Sequence, residues 1–587
     1  MKEDIFKYLN EKQREAVSCS FGPSIILAGA GSGKTRVLVY KVIYLIKNQN
    51  VNPQSIIMIT FTNKAGDEMK ERIVRIAQVE NLGFIGTFHS FCASILRKFA
   101  DYLGYENNYV IYDEDDQKSL IKEVIKNMAV KKYTPDFFLN QISLAKNRLI
   151  TPEKYLDIFN FGEKFELIKS VYEKYQKKLK KHNAMDFDDL LLNVIFLWRE
   201  NKSILELYQN KISQILVDEF QDTNVAQYEL IKMLAKKNKN ITVVGDFSQS
   251  IYSWRGADIE NLKKFQKDFP EAKVFYLDEN YRSTQKILDF AYKIIVKNVT
   301  HPILYLKSGN QEGEEITFYE AENEEDEAIY VTNQIIKLTR EGFLPNQIAV
   351  LYRINAQSRI IEEAFLHYGL PYILIGGIRF YERKEIKDVL SFLRVIVNEK
   401  DEVALKRIIN LGKKRFNKFN EKLSDLKEML TTKTTDEIIE EVFEITNYLD
   451  LYDLEDPDDY SRIENIKELK SVALNFPNIN DFLQQVALVE QEYYEGEKKN
   501  KDKEGVRLMT LHAAKGLEFE VVFIIGVEDG ILPHSRCLDD LYSIEEERRL
   551  FYVGITRAKK KLFVTFTRKR FLFGSRTYSL KSRFLEE

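Results

Sequence analysis

The stretch A-G-A-G-S-G-K-T (Ala28–Thr35) follows a short apolar run, Ser24–Leu27, and precedes a run of helical period, Arg36–Ile46. A glycine-rich turn between strand and helix lets backbone N–H groups curl around phosphate oxygens, and the helix N-terminus adds a favourable dipole. Lys34 suits bridging of terminal phosphates, and the Thr35 hydroxyl suits Mg²⁺. Ala28, Gly29, Ala30, Gly31, Ser32, Gly33 and Arg36 complete the expected cradle. Ala28 stands where the strict pattern has glycine.

Outward from this loop, short β-rich runs alternate with helical stretches. They are Ser24–Ala28, Ser55–Thr60, Ile215–Val217, Ile241–Val244, Val274–Leu277, Ile348–Tyr352, Leu508–Leu511, Val521–Ile525 and Leu562–Phe566. Such alternation predicts parallel sheets with helices on both faces. Residues from about 105 to 190, and from about 385 to 500, read as helix only. The second region ends in a charged, Gly-flanked stretch, Glu495–Gly505, that reads as a linker. The expected fold class is therefore α/β, with two parallel-sheet domains that each carry a helical insertion. The expected boundaries are 1–104, 105–190 and 191–284 for the first domain, then 285–384, 385–504 and 505–587 for the second. Residues 105–190 and 385–504 are the insertions.

Composition narrows the function. Among 587 residues, 87 Lys plus Arg against 90 Asp plus Glu give a net charge of −3. A polycation that coats nucleic acid by charge alone is excluded, so any nucleic-acid site is a local patch. Cys19, Cys92 and Cys537 lie too far apart for a disulfide framework or a cysteine-based zinc site. The opening M-K-E-D-I-F-K has no apolar stretch, and runs such as Val521–Ile525 are too short to span a bilayer. No membrane association and a cytoplasmic location are expected. Twelve acidic residues against the single Arg462 in Asp436–Glu464 read as a face that nucleic acid avoids.

Q-I-L-V-D-E-F-Q-D-T (Gln214–Thr223) places two carboxylates after a buried run. Asp218 suits Mg²⁺ coordination, and Glu219 suits deprotonation of an attacking water. Alone the pair fits an exposed turn; beside a phosphate loop it becomes specific. In V-V-G-D-F-S-Q-S-I-Y-S-W-R-G (Val243–Gly256), Gln249 suits sensing of a terminal phosphate. Tyr252, Trp254 and Arg255 suit a base-stacking platform, although a core tryptophan fits equally. T-F-T-N-K-A (Thr60–Ala65), with Phe61 and Asn63, and G-T-F-H-S-F (Gly86–Phe91), with His89, carry groups that contact a sugar–phosphate chain or cap helices. Arg282 in E-N-Y-R-S (Glu279–Ser283) and Arg557 in E-E-R-R-L-F-Y-V-G-I-T-R-A (Glu546–Ala558) gain weight only from the ensemble. Arginines that reach a transferred phosphoryl group accelerate cleavage by roughly 10³–10⁵.

In this order the motifs resemble the UvrD/Rep/PcrA group of superfamily 1 DNA helicases. The likeness runs from L-N-E-K-Q (Leu9–Gln13) to the last strand and includes T-L-H-A-A-K-G-L-E-F (Thr510–Phe519). It implies two RecA-like P-loop domains, ATP and Mg²⁺ as cofactors, and single-stranded DNA with its duplex junctions as partner. It further implies 3′→5′ movement on the single strand and unwinding driven by ATP hydrolysis. By resemblance, Gln13 reads the adenine edge, Tyr281 stacks on the base, and Gly516 and Glu518 lie near the ribose and phosphates. Gln249, Arg282 and Arg557 contact the terminal phosphate across the interdomain cleft. Phe61, Asn63, His89, Tyr252, Trp254, Arg255, Asn355 and His512 lie along the strand.

Two departures qualify the likeness. D-F-S-Q (Asp246–Gln249) replaces the family's D-D-D-Q, and N-L-G-K-K-R-F-N (Asn410–Asn417) replaces N-T-P-K-R-G-I-G. The second weakens a standard grip on duplex DNA, for which Lys406, Arg407, Lys413, Lys414 and Arg415 are the expected contacts. The insertion at 385–504 is expected to tune unwinding rather than power it. Three other readings stand beside the helicase: a translocase that strips proteins and unwinds poorly alone, a non-hydrolysing clamp, and the motor of a helicase–nuclease.

Overall fold

The computed structural model describes residues 5–79, 81–130, 132–159, 162–499, 504–572 and 575–587. The chain divides into two units, Met1–Arg282 with Ile295–Asn310, and Ser283–Ile294 with Gln311–Glu587.

The first unit is built on a six-stranded, all-parallel sheet. Its order is Ile85–Thr87, Ile56–Thr60, Gln214–Val217, Ile241–Gly245, Ser24–Ala28 and Lys273–Leu277. The central strands are buried on both faces, which is why they read as unbroken apolar runs rather than alternating ones. Successive residues still part to opposite faces. Ile25 and Leu27 join Phe88, Phe91, Leu190 and Phe265 on one side. Ile26 and Ala28 join Val37, Leu38 and Met69 on the other.

Between its third and fourth strands in sequence, this unit carries an insertion with its own core. Helices Glu114–Asn127, Pro135–Asn147 and Glu163–Lys181 pack around Leu120, Phe138, Tyr155 and Tyr172. The region is not helix only: Val110–Ile111 pairs in parallel with Ala184–Met185. A ladder of two residues per strand is too short to leave a period in the sequence. The buried Lys146 ammonium lies 2.6 Å from Asp186 and 2.8 Å from Asp189. That pairing ties the helix Pro135–Asn147 to the start of Phe187–Glu200.

The second unit repeats the plan. Its sheet runs Thr317–Ala321, Ala558–Thr567, Phe519–Ile524, Ile348–Tyr352, Val506–Thr510 and Tyr372–Leu374, again all parallel. Helices from Lys384–Val397 to Ile479–Lys499 form its insertion around Phe392, Val442, Tyr448 and Phe482. The expected linker Glu495–Gly505 is corrected in part, because Ile479–Lys499 is one helix. Charged residues such as Glu and Lys favour helix, and one internal glycine costs it only about 1 kcal/mol. Residues 500–503 of that stretch lie outside the described residues.

Within the acidic run Asp436–Glu464, nine carboxylates are half-buried or exposed and three are not. Asp456, Asp459 and Glu464 are buried. Asp456 caps the helix Pro457–Leu474, Asp459 pairs with Arg462 at 2.7 Å, and Glu464 meets His534 at 3.2 Å. Helix capping and ion pairing consume carboxylates that composition alone assigns to solvent. Among the described residues, no helix is long and apolar enough to cross a membrane.

Candidate active site

The Ala28–Thr35 loop is pinned at both ends. Gly29 N–H donates to Leu277 O (3.2 Å), and Ser32 donates to Gly29 O through N–H (3.2 Å) and Oγ (2.8 Å). Gly31 (φ +67°) and Gly33 (φ +84°) take the left-handed backbone that a phosphate cradle requires and that side chains disfavour. A Cβ at Gly31 would come within 2.7 Å of the Asn280 amide and 2.8 Å of Arg282 Cβ. Asn280 Nδ2 donates to Ala30 O (2.6 Å), and Tyr281 N–H donates to Gly31 O (3.0 Å). Tyr281 and Arg282 are thereby fixed against the loop. Ala28 and Ala30 are buried, Thr35 is half-buried and Arg36 is exposed.

Gln13 lies at this loop, but its amide is engaged there. Nε2 donates to Ser32 O (2.9 Å), and Oε1 accepts from Asn10 N–H (3.2 Å). The Asn10 side chain donates to the Tyr281 hydroxyl at 2.7 Å, which links these two expected base contacts.

The helix Lys34–Lys47 presents Lys34 Nζ 3.9 Å from Glu219 Oε2. Asp218 ends the strand Gln214–Val217 and is buried. Burial first, then the Glu219 charge, pushes its carboxyl up to about 7, with Lys34 opposing. Glu219 itself has φ +48°, an uncommon left-handed backbone for a non-glycine residue, of the kind that clusters at functional sites. Gln249 is buried in the short turn Phe247–Gln249 after the neighbouring strand and donates to Asp246 Oδ2 at 2.6 Å.

Three residues on, the chain surfaces. Tyr252 stacks on Phe61 at 5.8 Å between centroids, and the Arg255 guanidinium lies 4.6 Å over the Trp254 ring. Trp254 is 47% exposed, so it is not a core tryptophan; Trp198 is the buried one. Asn63 is exposed at the start of the helix Asn63–Ala77. His89 is half-buried, its imidazole held below the usual histidine range by burial. Its ring meets the edge of Phe187 at 5.9 Å. Phe187, 49% exposed, forms a second exposed aromatic contact with His89 and is missed by sequence reasoning.

Asn355, His512, Gly516, Glu518 and Arg557 belong to the second unit. Gly516 is left-handed (φ +84°) with open space where a Cβ would stand, and Glu518 lies 2.9 Å from Lys559. Asn355 and His512 are half-buried; nearby, burial raises the Glu547 carboxylate, but its Arg353 partner at 2.8 Å outweighs this and holds it below the usual range. Arg557 is buried; it donates to Val553 O (2.9 Å), Leu517 O (3.2 Å) and Thr556 Oγ1 (3.0 Å).

The first-unit residues fit a nucleotide with its cation. The loop is shaped by positive-φ glycines, Lys34 supplies positive charge, and Thr35 with Asp218 supplies hard oxygen donors. A cation beside the raised Asp218 carboxyl would favour its charged form. Parallel sheet, phosphate loop and paired carboxylates together define a P-loop nucleoside triphosphatase.

Comparison with known proteins specifies the family. The UvrD/REP helicase N-terminal domain matches residues 9–270, and the UvrD-like helicase C-terminal domain matches 275–415 and 410–569. The ATP-dependent DNA helicase PcrA of Staphylococcus epidermidis is 42% identical over 636 aligned positions, covering 99% of this chain and 86% of that protein. Its namesake in Staphylococcus aureus is 41% identical over 638 positions, with the same coverage. The chain belongs to the UvrD/REP helicase family and is an ATP-hydrolysing DNA helicase.

Proposed function

We propose that this helicase moves 3′→5′ along single-stranded DNA and unwinds duplex ahead of it. The observation that carries the reading is the Phe61–Tyr252–Trp254 aromatic row, with Phe61 and Trp254 exposed and the half-buried Tyr252 three residues after the buried Gln249. Bases stack on such rows without regard to sequence, as a translocating enzyme requires. Glu219 takes the proton of the attacking water, and Lys34 holds the terminal phosphates. Gln249, Arg282 and Arg557 meet the charge that develops there. Mg²⁺, held by Thr35 and Asp218, would neutralise phosphate charge when bound. Residues 105–190 and 385–504 are assigned as insertions into motor domains formed by 1–104 with 191–284 and by 285–384 with 505–587.

ATP hydrolysis measured with and without an unstructured oligonucleotide tests this reading. Strong stimulation by the single strand is expected; turnover indifferent to DNA overturns it.

A second reading, a translocase that strips bound proteins and unwinds poorly alone, is favoured by one observation. Arg407 pairs with Asp388 at 2.5 Å, and Arg415 donates to Leu411 O and Asn447 O. Two of the five cations expected to grip duplex DNA therefore hold the insertion together.

A further inference from the structure

Gln221 is wholly buried and lies beside the general base without touching the nucleotide loop. Its Nε2 donates to Glu219 Oε2 at 2.6 Å and to Asp222 Oδ2 at 3.2 Å, while its Oε1 accepts Asp246 N–H at 3.1 Å. Asp246 Oδ2 in turn accepts from Gln249, and the Gln221 carbonyl accepts from Ser250 Oγ at 3.1 Å. The amide lies so close to Gly245 that a Cβ there would come within 2.6 Å of its oxygen. A continuous chain of hydrogen bonds thus runs Glu219–Gln221–Asp246–Gln249 inside one unit. Tyr252 follows three residues later.

We infer that Gln221 is a positioning residue, which orients the Glu219 carboxylate for water activation and ties that orientation to the Asp246–Ser250 loop. The inference rests on the proposed roles of Glu219 and of the aromatic row. A neutral amide carries a donor and an acceptor on one terminus at this length without needing to bind a proton. Ionised glutamate keeps the acceptor for Asp246 N–H but turns the donor to Glu219 into a like charge, and it keeps the donor only by binding a proton. Methionine keeps the length and loses both bonds. Buried networks with one member removed lose more than that member's own bond, so the effect passes along the chain.

The test is steady-state ATPase of Gln221→Met and Gln221→Glu, with and without oligonucleotide, plus single-turnover hydrolysis in a Glu219→Gln background. DNA-stimulated kcat is expected to fall about 10–100-fold in both, part of what a positioned general base contributes, while KM for ATP moves less than about 3-fold. In the Glu219→Gln background, Gln221→Met is expected to slow hydrolysis less than about 2-fold further, because the group it positions is gone. An unchanged kcat, a rise confined to KM, or the same fold loss in both backgrounds overturns the inference. If Gln221→Met fails to fold, Gln221→Glu decides by the same criteria. A wild-type enzyme indifferent to DNA contradicts the proposed function instead, and the link to Glu219 is then judged on basal turnover in the two backgrounds.

Discussion

Phe61 and Tyr252 stack with ring planes 2° from parallel, although they come from loops after two different strands, Ile56–Thr60 and Ile241–Gly245. Tyr252 also meets Trp254 edge-on at 6.5 Å. Loops that follow two strands of one sheet thus assemble the aromatic row. On the proposed reading, a base that docks there would act on a loop whose other end holds Gln249, a short path from the DNA to the phosphate site.

Trp254→Ala is predicted to weaken single-strand binding by about 1–3 kcal/mol, the value of one base–aromatic stack. The ring is half in solvent, so the melting temperature should stay put. Fluorescence anisotropy with a labelled oligonucleotide, alongside thermal melting, checks both. A large loss of melting temperature with unchanged binding would sink the platform role.

Glu219→Gln is expected to lower kcat about 10²–10⁴-fold and to leave ATP binding near wild type, as for loss of a general base. Lys34→Ala should lose turnover and nucleotide affinity together. Arg557→Ala should cut turnover about 10³-fold with much of the affinity retained. Arg557 also holds the Val553 and Leu517 carbonyls, so melting is followed in parallel. ATP titrations of turnover separate these patterns.

Lys41 couples stability to pH. Its buried ammonium donates to Ala16 O and Cys19 O, at the end of the helix that carries Gln13, and burial pulls it down to about 8. The unfolded chain binds the proton up to about pH 10.5, so stability from this group is lowest below pH 8 and rises between 8 and 10.5. The full rise is about 3 kcal/mol. Relative to Lys41→Met, the wild type should gain stability across that window in denaturant melts at stepped pH. A flat difference from pH 7 to 10 would contradict it.

Replacing the whole 385–504 insertion is a poor test of duplex grip. Arg359 pairs with Glu468 at 2.7 Å and Arg383 with Asn465 at 2.8 Å, so excision removes a partner from two buried guanidinium groups. Lys413 and Lys414 are exposed at the start of a helix that follows the left-handed Gly412 (φ +122°). Lys413→Ala with Lys414→Ala is expected to spare single-strand-stimulated ATPase and weaken junction binding. The salt slope should fall by about 0.9 for each duplex phosphate that the variant no longer neutralises. An unchanged slope would remove these lysines from the duplex.

The central strands are legible in the sequence because both their faces are buried, which leaves continuous apolar runs. Ile85–Thr87, Thr317–Ala321 and Tyr372–Leu374 are not, and all three are sheet edges. Thr317–Ala321 is partly exposed along its length, and the other two have three residues each. The phosphate loop is legible because its chemistry demands glycine, lysine and threonine in contiguous order. Gln221, Asn280 and Phe187 act through neighbours distant in sequence, so no local pattern marks them. Within the acidic run, the buried Asp456, Asp459 and Glu464 are not legible, because charge counts do not distinguish a cap or a buried pair from a solvated carboxylate.

Directional movement on a single strand, driven by ATP, is the claim on which the other roles depend. Strand displacement from 3′-tailed, 5′-tailed and blunt duplexes, with and without ATP, tests it most directly. ATP-dependent displacement from the 3′-tailed duplex should exceed that from both others and be lost in Glu219→Gln. Preference for the 5′ tail, or equal displacement from all three, would contradict it.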